Sequence, residues 1–115
     1  MPAPDPRLPV RFGPLASAGP HSALLIEGDA PAPVGAVVAR FVPAGGFGAH
    51  PRGCACCTPR GPVALALGAL FLARARDGAP FLEVLAVAAS AVGEAAIRAA
   101  LEDDVLTRAR FRTDQ

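Results

Sequence analysis

The sequence predicts a small α/β domain, in which a mostly parallel sheet of three or four strands is flanked by helices in a two-layer or three-layer sandwich. Two observations support this class. Short apolar runs alternate along the chain with segments of helical periodicity, and such an order is typical of right-handed crossovers between parallel strands. The chain also has 115 residues and is 52% hydrophobic, which is enough for one compact core.

Several short segments have the pattern of β-strands. Residues 23–26 form an apolar run that stops at Gly28, which is typical of a buried strand followed by a turn. Residues 81–88 form a second apolar run. Residues 105–112 alternate so that arginines fall on one side, which predicts an edge strand. Residues 34–42 fit either a short helix or a strand.

Two segments have the pattern of α-helices. The first begins at Pro62, which suits a first helical turn, and ends before Gly78, which suits a helix stop. Its apolar residues recur at helical spacing: Val63, Leu67, Leu70, Phe71 and Ala75. The second covers about residues 92–102, where Glu94, Arg98 and Glu102 lie four apart on one face.

The two ends of the chain differ in composition. Residues 1–22 are rich in proline, so we expect an extended arm there, followed by a single domain over residues 23–115. The longest uncharged apolar run, Val63–Ala73, is shorter than the roughly 20 residues that a membrane-spanning helix needs. The N-terminus does not resemble a secretory signal. We therefore expect a cytoplasmic protein with no membrane partner.

The charge balance excludes several classes of function. Eleven basic and ten acidic residues leave a net charge of +1, which gives no electrostatic reason for binding nucleic acid. All the basic residues are arginines. A lysine in a phosphate-binding loop and a lysine that forms a Schiff base are therefore both excluded.

The most informative stretch is the cysteine segment, Gly53-Cys54-Ala55-Cys56-Cys57-Thr58, which lies in a Gly/Pro-rich loop over residues 43–62. Thiolates in this spacing favour Zn²⁺, Co²⁺ or Cu(I). The flanking Arg52 and Arg60 favour the thiolate form that binds metal. His50 is a further candidate ligand, although a loop histidine at this position is also explained as an exposed side chain without a role.

Two other interpretations of the cysteines stay open. The thiols could carry redox or disulfide chemistry, or they could be inert packing residues. A Cys56–Cys57 disulfide is unfavourable, because adjacent Cα atoms are only about 3.8 Å apart. Inert packing explains the cluster poorly, because the surrounding loop is too rich in glycine and proline to build a core.

The cysteine segment resembles that of the CobW-like family, P-loop GTPases that handle zinc or cobalt and use this motif as their metal site. Residues 57–63 are similar to the segment that follows the family's cysteines, with Pro62 where the family usually has Asp. The helix and strand that follow keep the family's order, so the resemblance covers about residues 23–112. It implies that Cys54, Cys56 and Cys57 bind the metal.

The phosphate-binding part of the family's pattern is degenerate in this chain. Residues 28–35 stand where the family has G-x-x-x-x-G-K-[ST], with Val34 at the lysine position and Gly35 at the hydroxyl position. Pro33 also removes one amide donor from the phosphate cradle. The resemblance therefore implies a P-loop-like domain that binds no nucleotide and is not an enzyme.

The residues and the resemblance together predict a metal-binding protein that stores, senses or delivers one Zn²⁺ or Co²⁺ ion per chain. One alternative is a pseudo-GTPase interaction module in which the metal is structural. A thiol redox protein is another. The candidate partners are a second copy of the chain and a metal-acceptor protein.

Overall fold

Five parallel strands form one sheet in the order β3-β2-β4-β1-β5. The computed structural model of the protein describes residues 5–43 and 61–114. The strands are β1 (Leu8–Phe12), β2 (Ser22–Glu27), β3 (Val38–Phe41), β4 (Glu83–Val87) and β5 (Phe111–Thr113). The helices are α1 (Pro62–Asp77), α2 (Ala91–Asp103) and α3 (Val105–Arg110), with a 3₁₀ turn at Leu15–Ser17. The sheet is thus larger than the three or four strands expected, and it is parallel throughout.

The central part of the prediction is confirmed by α1, β4, α2 and β2. Helix α1 contains Pro62 in its first turn and ends at Gly78, whose φ of 71° is left-handed and suits glycine. Helix α2 begins after Ser90, whose hydroxyl accepts a hydrogen bond from the Gly93 amide at 3.0 Å. The ambiguous residues 34–42 contain a strand, β3, which pairs in parallel with β2.

The expectation of an arm over residues 1–22 is wrong for Leu8–Phe12. These residues form β1, which lies inside the sheet with Val10 opposite Val84 of β4 and Thr113 of β5. Val10 is fully buried. The apolar residues of β1 recur with the period of two that a strand requires, and the surrounding prolines obscured this pattern in the composition.

The expectation of a strand over residues 105–112 is also wrong for most of its length. Residues 105–110 form the short helix α3, and only Phe111–Thr113 join the sheet as β5. Asp104 starts the helix, because its carboxylate accepts hydrogen bonds from the amide and the hydroxyl of Thr107 at 2.9 and 2.8 Å. The strand pattern failed because this cap acts over three residues and favours a helical turn.

The three helices in the described residues all pack on one face of the sheet. In β2, Ala23 and Leu25 point to that face, while Leu24 and Ile26 point to the opposite face. The core on the helix face is built mainly from strand residues together with residues of α1 and α2, namely Leu8, Val10, Leu25, Phe41, Val63, Leu67, Leu70, Val84, Ile97, Leu101 and Phe111. The sheet and this helical layer therefore form a two-layer α/β sandwich.

The opposite face is covered by chain connections. The 3₁₀ turn between β1 and β2 and the connection of residues 28–37 between β2 and β3 pack on Leu24, Ile26 and Leu85. The connection that follows β4 leads into α2 on the other face. At their carboxyl ends, the neighbouring strands β2 and β4 therefore send the chain to opposite faces. This divergence is the switch point of the sheet, where open α/β sheets leave a crevice for ligands.

Candidate functional site

The predicted metal ligands lie outside the described residues. Cys54, Cys56 and Cys57, together with the further candidate His50, belong to residues 44–60. Their metal binding stays a prediction. In the described ranges, no three side chains of the His, Cys, Asp and Glu types form a group that could hold a metal ion.

Two described elements flank the chain that carries the cysteines. The segment that contains the cysteines follows β3, an edge strand that is hydrogen-bonded only to β2 in the described sheet. It is followed by Gly61, the residue that precedes α1 and accepts a hydrogen bond from the Leu65 amide at 3.0 Å. Both flanks are fixed to the same core, through Phe41 on one side and Val63 on the other.

The switch point between β2 and β4 is occupied by the carboxylate of Glu27. Glu27 ends β2, and its Oε1 accepts hydrogen bonds from the amides of Ala89 and Ser90 at 2.6 and 2.9 Å. Its Oε2 accepts a third from the Ser90 hydroxyl at 2.7 Å. These donors belong to the turn that begins α2, where backbone N–H groups lack partners within the helix.

Gly93 leaves the room that this carboxylate needs. It lies in the first turn of α2 and is buried. An ideal Cβ built on Gly93 would fall within 3.0 Å of the Glu27 carboxyl carbon and of both its oxygens, closer than a Cβ approaches such atoms. Gly93 is helical, so glycine is favoured here by the approach of Glu27 and not by a left-handed backbone. A Cβ at this position would force the Glu27 carboxylate to shift.

The hydrogen bonds stabilise the charged form of Glu27. The Ser90 hydroxyl is the largest cause, and with the amides of Ala89 and Ser90 it outweighs the opposing effect of desolvation, so the pKa of Glu27 lies below its ordinary value. The positive end of the α2 dipole acts in the same direction. The site is a small cradle for one negative charge, and the protein supplies that charge itself.

Residues 28–35, which the sequence analysis compared with a phosphate-binding loop, lead into a strand. The chain continues from Gly28 through residues 29–37 to β3 and forms no helix on the way. A P-loop consists of a strand, a glycine-rich loop and a helix whose N-terminus holds phosphate. Arg40 braces this connection by donating hydrogen bonds to the carbonyls of Gly28 and Ala30 at 3.2 and 2.7 Å.

A second charged cluster lies on the face away from the helices. Glu83 accepts a hydrogen bond from the Ser22 hydroxyl and another from Arg11 Nε at 3.0 Å. Arg11 also donates to the carbonyl of Ser17 at 2.7 Å. Ser22 first, and then Arg11, hold the pKa of Glu83 below its ordinary value. All partners are mutually engaged, so this cluster ties β1, β2 and β4 together.

Sequence reasoning missed the contact between Glu27 and the start of α2. Glu27 appeared only as the end of an apolar run, and Gly93 only as part of a helix. The one local signal was a glycine in the first turn of a helix, where an alanine would favour the helix by roughly 1 kcal/mol. A glycine kept at such a position points to a close approach by another part of the molecule.

Comparisons with protein-family models, with curated proteins and with solved structures found no match. The structure therefore assigns the protein to a structural class only, a two-layer α/β sandwich with an all-parallel sheet. None of the described helices combines the length and the apolar character that crossing a membrane requires.

Proposed function

We propose that this protein binds one Zn²⁺ or Co²⁺ ion per chain through Cys54, Cys56 and Cys57, and that it stores, senses or delivers the metal without GTPase activity. The observation that carries the proposal is the concentration of three thiols within four positions of a Gly/Pro-rich segment. Thiolates are the ligands that soft and borderline metal ions prefer. The resemblance of this segment to the CobW-like cysteine motif supports the same function.

The coordination that follows has an open position. Three thiolates leave the fourth tetrahedral site for His50, for water or for a group of an acceptor protein, and an open position is what metal exchange requires. Metal binding should release protons and weaken in acid, because the ligands must be deprotonated.

In this proposal the domain is a degenerate relative of the P-loop proteins that binds no nucleotide. Val34 and Gly35 stand where the lysine and the magnesium-binding hydroxyl would be needed. The connection that contains them leads to β3 without a helix. Calorimetric titration with GTP, GDP and ATP in the presence of Mg²⁺ should show no binding, and micromolar binding of any of them would overturn this part.

Cobalt titration of the reduced protein tests the metal site directly. Tetrahedral Co²⁺–thiolate coordination should give intense visible bands and a near-ultraviolet charge-transfer band. Replacing Cys54 or Cys56 by serine should abolish tight binding, whereas Cys57→Ser should weaken it. His50→Ala is the matched control, since it removes the further candidate ligand from the same segment and leaves all three thiols.

The outcomes of this titration separate the three interpretations. Bands that vanish in the triple Cys→Ser variant, together with zinc in protein purified without chelator, support the metal site. Absence of bands, with as much zinc in the triple variant as in the wild type, refutes it. Thiols that cycle between reduced and oxidised forms without bound metal would favour the redox interpretation.

A protein-interaction module is the second candidate function, and one observation favours it. Helix α1 exposes Leu65 and Leu72, which are 56% and 45% accessible and lie two turns apart on one side. In this case the metal would stabilise the segment, and the apolar side of α1 would contact another protein. Transfer of metal to an acceptor supports delivery, whereas a partner lost on Leu65→Ser and Leu72→Ser supports the interaction module.

A further inference from the structure

The end of β2 and the start of α2 meet at the switch point of the sheet. Parallel α/β sheets bind anionic ligands at such points, because backbone amides at a helix N-terminus point into the crevice. In this protein the donors at that position are the amides of Ala89 and Ser90 and the Ser90 hydroxyl. All three already donate to one side chain of the same chain.

We propose that Glu27 is an internal anion that closes this crevice and latches the end of β2 to the N-terminus of α2. The contact joins residues that are 62 and 63 positions apart in the sequence. The two amides and the Ser90 hydroxyl all donate to the Glu27 carboxylate. None of these three donors is therefore left to bind a phosphate or another external anion. We call this arrangement the Glu27 latch.

The packing around the carboxylate shows that the latch is a fitted site. Gly93 supplies the space for the carboxylate, and its own amide donates to the Ser90 hydroxyl at 3.0 Å. Ser90 therefore caps α2 and binds Glu27 at once. Any side chain at position 93 would meet the carboxylate before it met solvent.

The charge of Glu27 is balanced by dipoles. In the described part of the chain no guanidinium forms an ion pair with it. The charged side chains on the elements that meet here are Asp29 after β2, Arg40 on β3, and Glu94 and Arg98 on α2. Arg40 donates to carbonyls of the β2–β3 connection, and Arg98 pairs with Glu94 at 3.0 Å. The latch should therefore hold while Glu27 is ionised and release when Glu27 is protonated.

An NMR titration of the wild-type protein tests the latch without any substitution. On acidification, the amide resonances of Ala89 and Ser90 should shift together with one midpoint, which lies below the ordinary glutamate pKa of about 4.3. Inorganic phosphate at neutral pH should leave both resonances in place. Phosphate-induced shifts at these amides would show that the crevice is open and would overturn the proposal.

Matched variants test the same contact at neutral pH. In Glu27→Gln, which keeps one acceptor oxygen and removes the charge, hydrogen exchange of the Ala89 and Ser90 amides should become about tenfold faster. Glu94→Gln removes a charge from the same helical turn without touching the latch, so exchange there should change less than twofold. Equal exchange rates in wild type and Glu27→Gln, or equal effects of the two variants, would refute the latch.

Discussion

Replacing Gly93 by alanine sets two opposing effects against each other. Alanine favours a helix over glycine by about 1 kcal/mol, so an ordinary helical position would become more stable. At position 93, however, an ideal Cβ would lie 1.9 Å from Oε1 of Glu27. The structure therefore predicts that the usual gain is lost and that the substitution destabilises the protein.

The displacement that the methyl group forces can be worked out from the distances. To reach an ordinary contact of 3.4 Å, the carboxylate must withdraw by about 1.5 Å. Its hydrogen bonds to Ala89 and Ser90 are 2.6 to 2.9 Å long, and a withdrawal of this size along them exceeds hydrogen-bond distance. The start of α2 then loses the partner of two amides and one hydroxyl.

A double-mutant cycle in urea measures this coupling. Gly93→Ala alone should lower the free energy of unfolding, whereas the same change in a Glu27→Ala background should raise it by about 1 kcal/mol, the helix-propensity gain. The two effects of one substitution should thus differ in sign. Stabilisation by Gly93→Ala in the wild-type background would show that Glu27 does not occupy this space, and the reasoning would fail.

Three further changes follow from the packing and the charges. Leu67→Ala, at a fully buried position, should cost about 2–5 kcal/mol of unfolding free energy, while Leu65→Ala at an exposed position of the same helix should stay within about 0.5 kcal/mol. Asp104→Ala removes the cap of α3 and should cost about 1 kcal/mol in urea unfolding, against little change for Asp103→Ala. The pKa of Glu83 is lower in the folded protein than in the unfolded chain. The contribution of Glu83 to the free energy of unfolding is therefore present above the unfolded pKa of about 4.3 and is lost as the pH falls through the folded pKa. Glu83→Gln should therefore flatten the loss of stability on acidification, and equal pH slopes in variant and wild type would contradict this.

The elements with strong local signals could be predicted from the sequence. Helix α1 has Pro62 at its start and Gly78 at its end, and both signals depend on the backbone preferences of single residues. Strands β2 and β4 each contain an uninterrupted apolar run, residues 23–26 and 84–87, as expected of strands that are covered on both faces. These signals require no knowledge of what the segment packs against.

Strand β1 and helix α3 could not be predicted. The first depends on pairing with strands that are distant in the sequence, and the second depends on a side-chain cap. Strand β1 is a central strand only because Val84 and Thr113 lie beside Val10, and those partners are distant in the sequence. Helix α3 depends on the Asp104 carboxylate, which favours a turn over the alternating pattern that follows it. In both segments the composition indicated the wrong structure, through prolines in one and arginines in the other.

The candidate sites differ in what the sequence could supply. The residue type and spacing of the cysteines predict a metal site, and that site stays a prediction. The Glu27 latch has no such signature, because a glutamate after a strand and a glycine in a helix are both common. Only the approach of Glu27 to Ala89 and Ser90 in the folded protein reveals it.

The described carboxylates show how this chain handles negative charge, and the comparison bears on the cysteines. Glu83 is met by a guanidinium and a hydroxyl, and Glu27 by two amides and a hydroxyl. Three thiolates within four residues would carry up to three charges, with only Arg52 and Arg60 adjacent in the sequence and no lysine in the chain. Neither arginine can coordinate sulfur, whereas a divalent ion both balances the charge and binds the thiolates. Because metal binding requires deprotonated thiols, metal occupancy and thiol ionisation should rise and fall together.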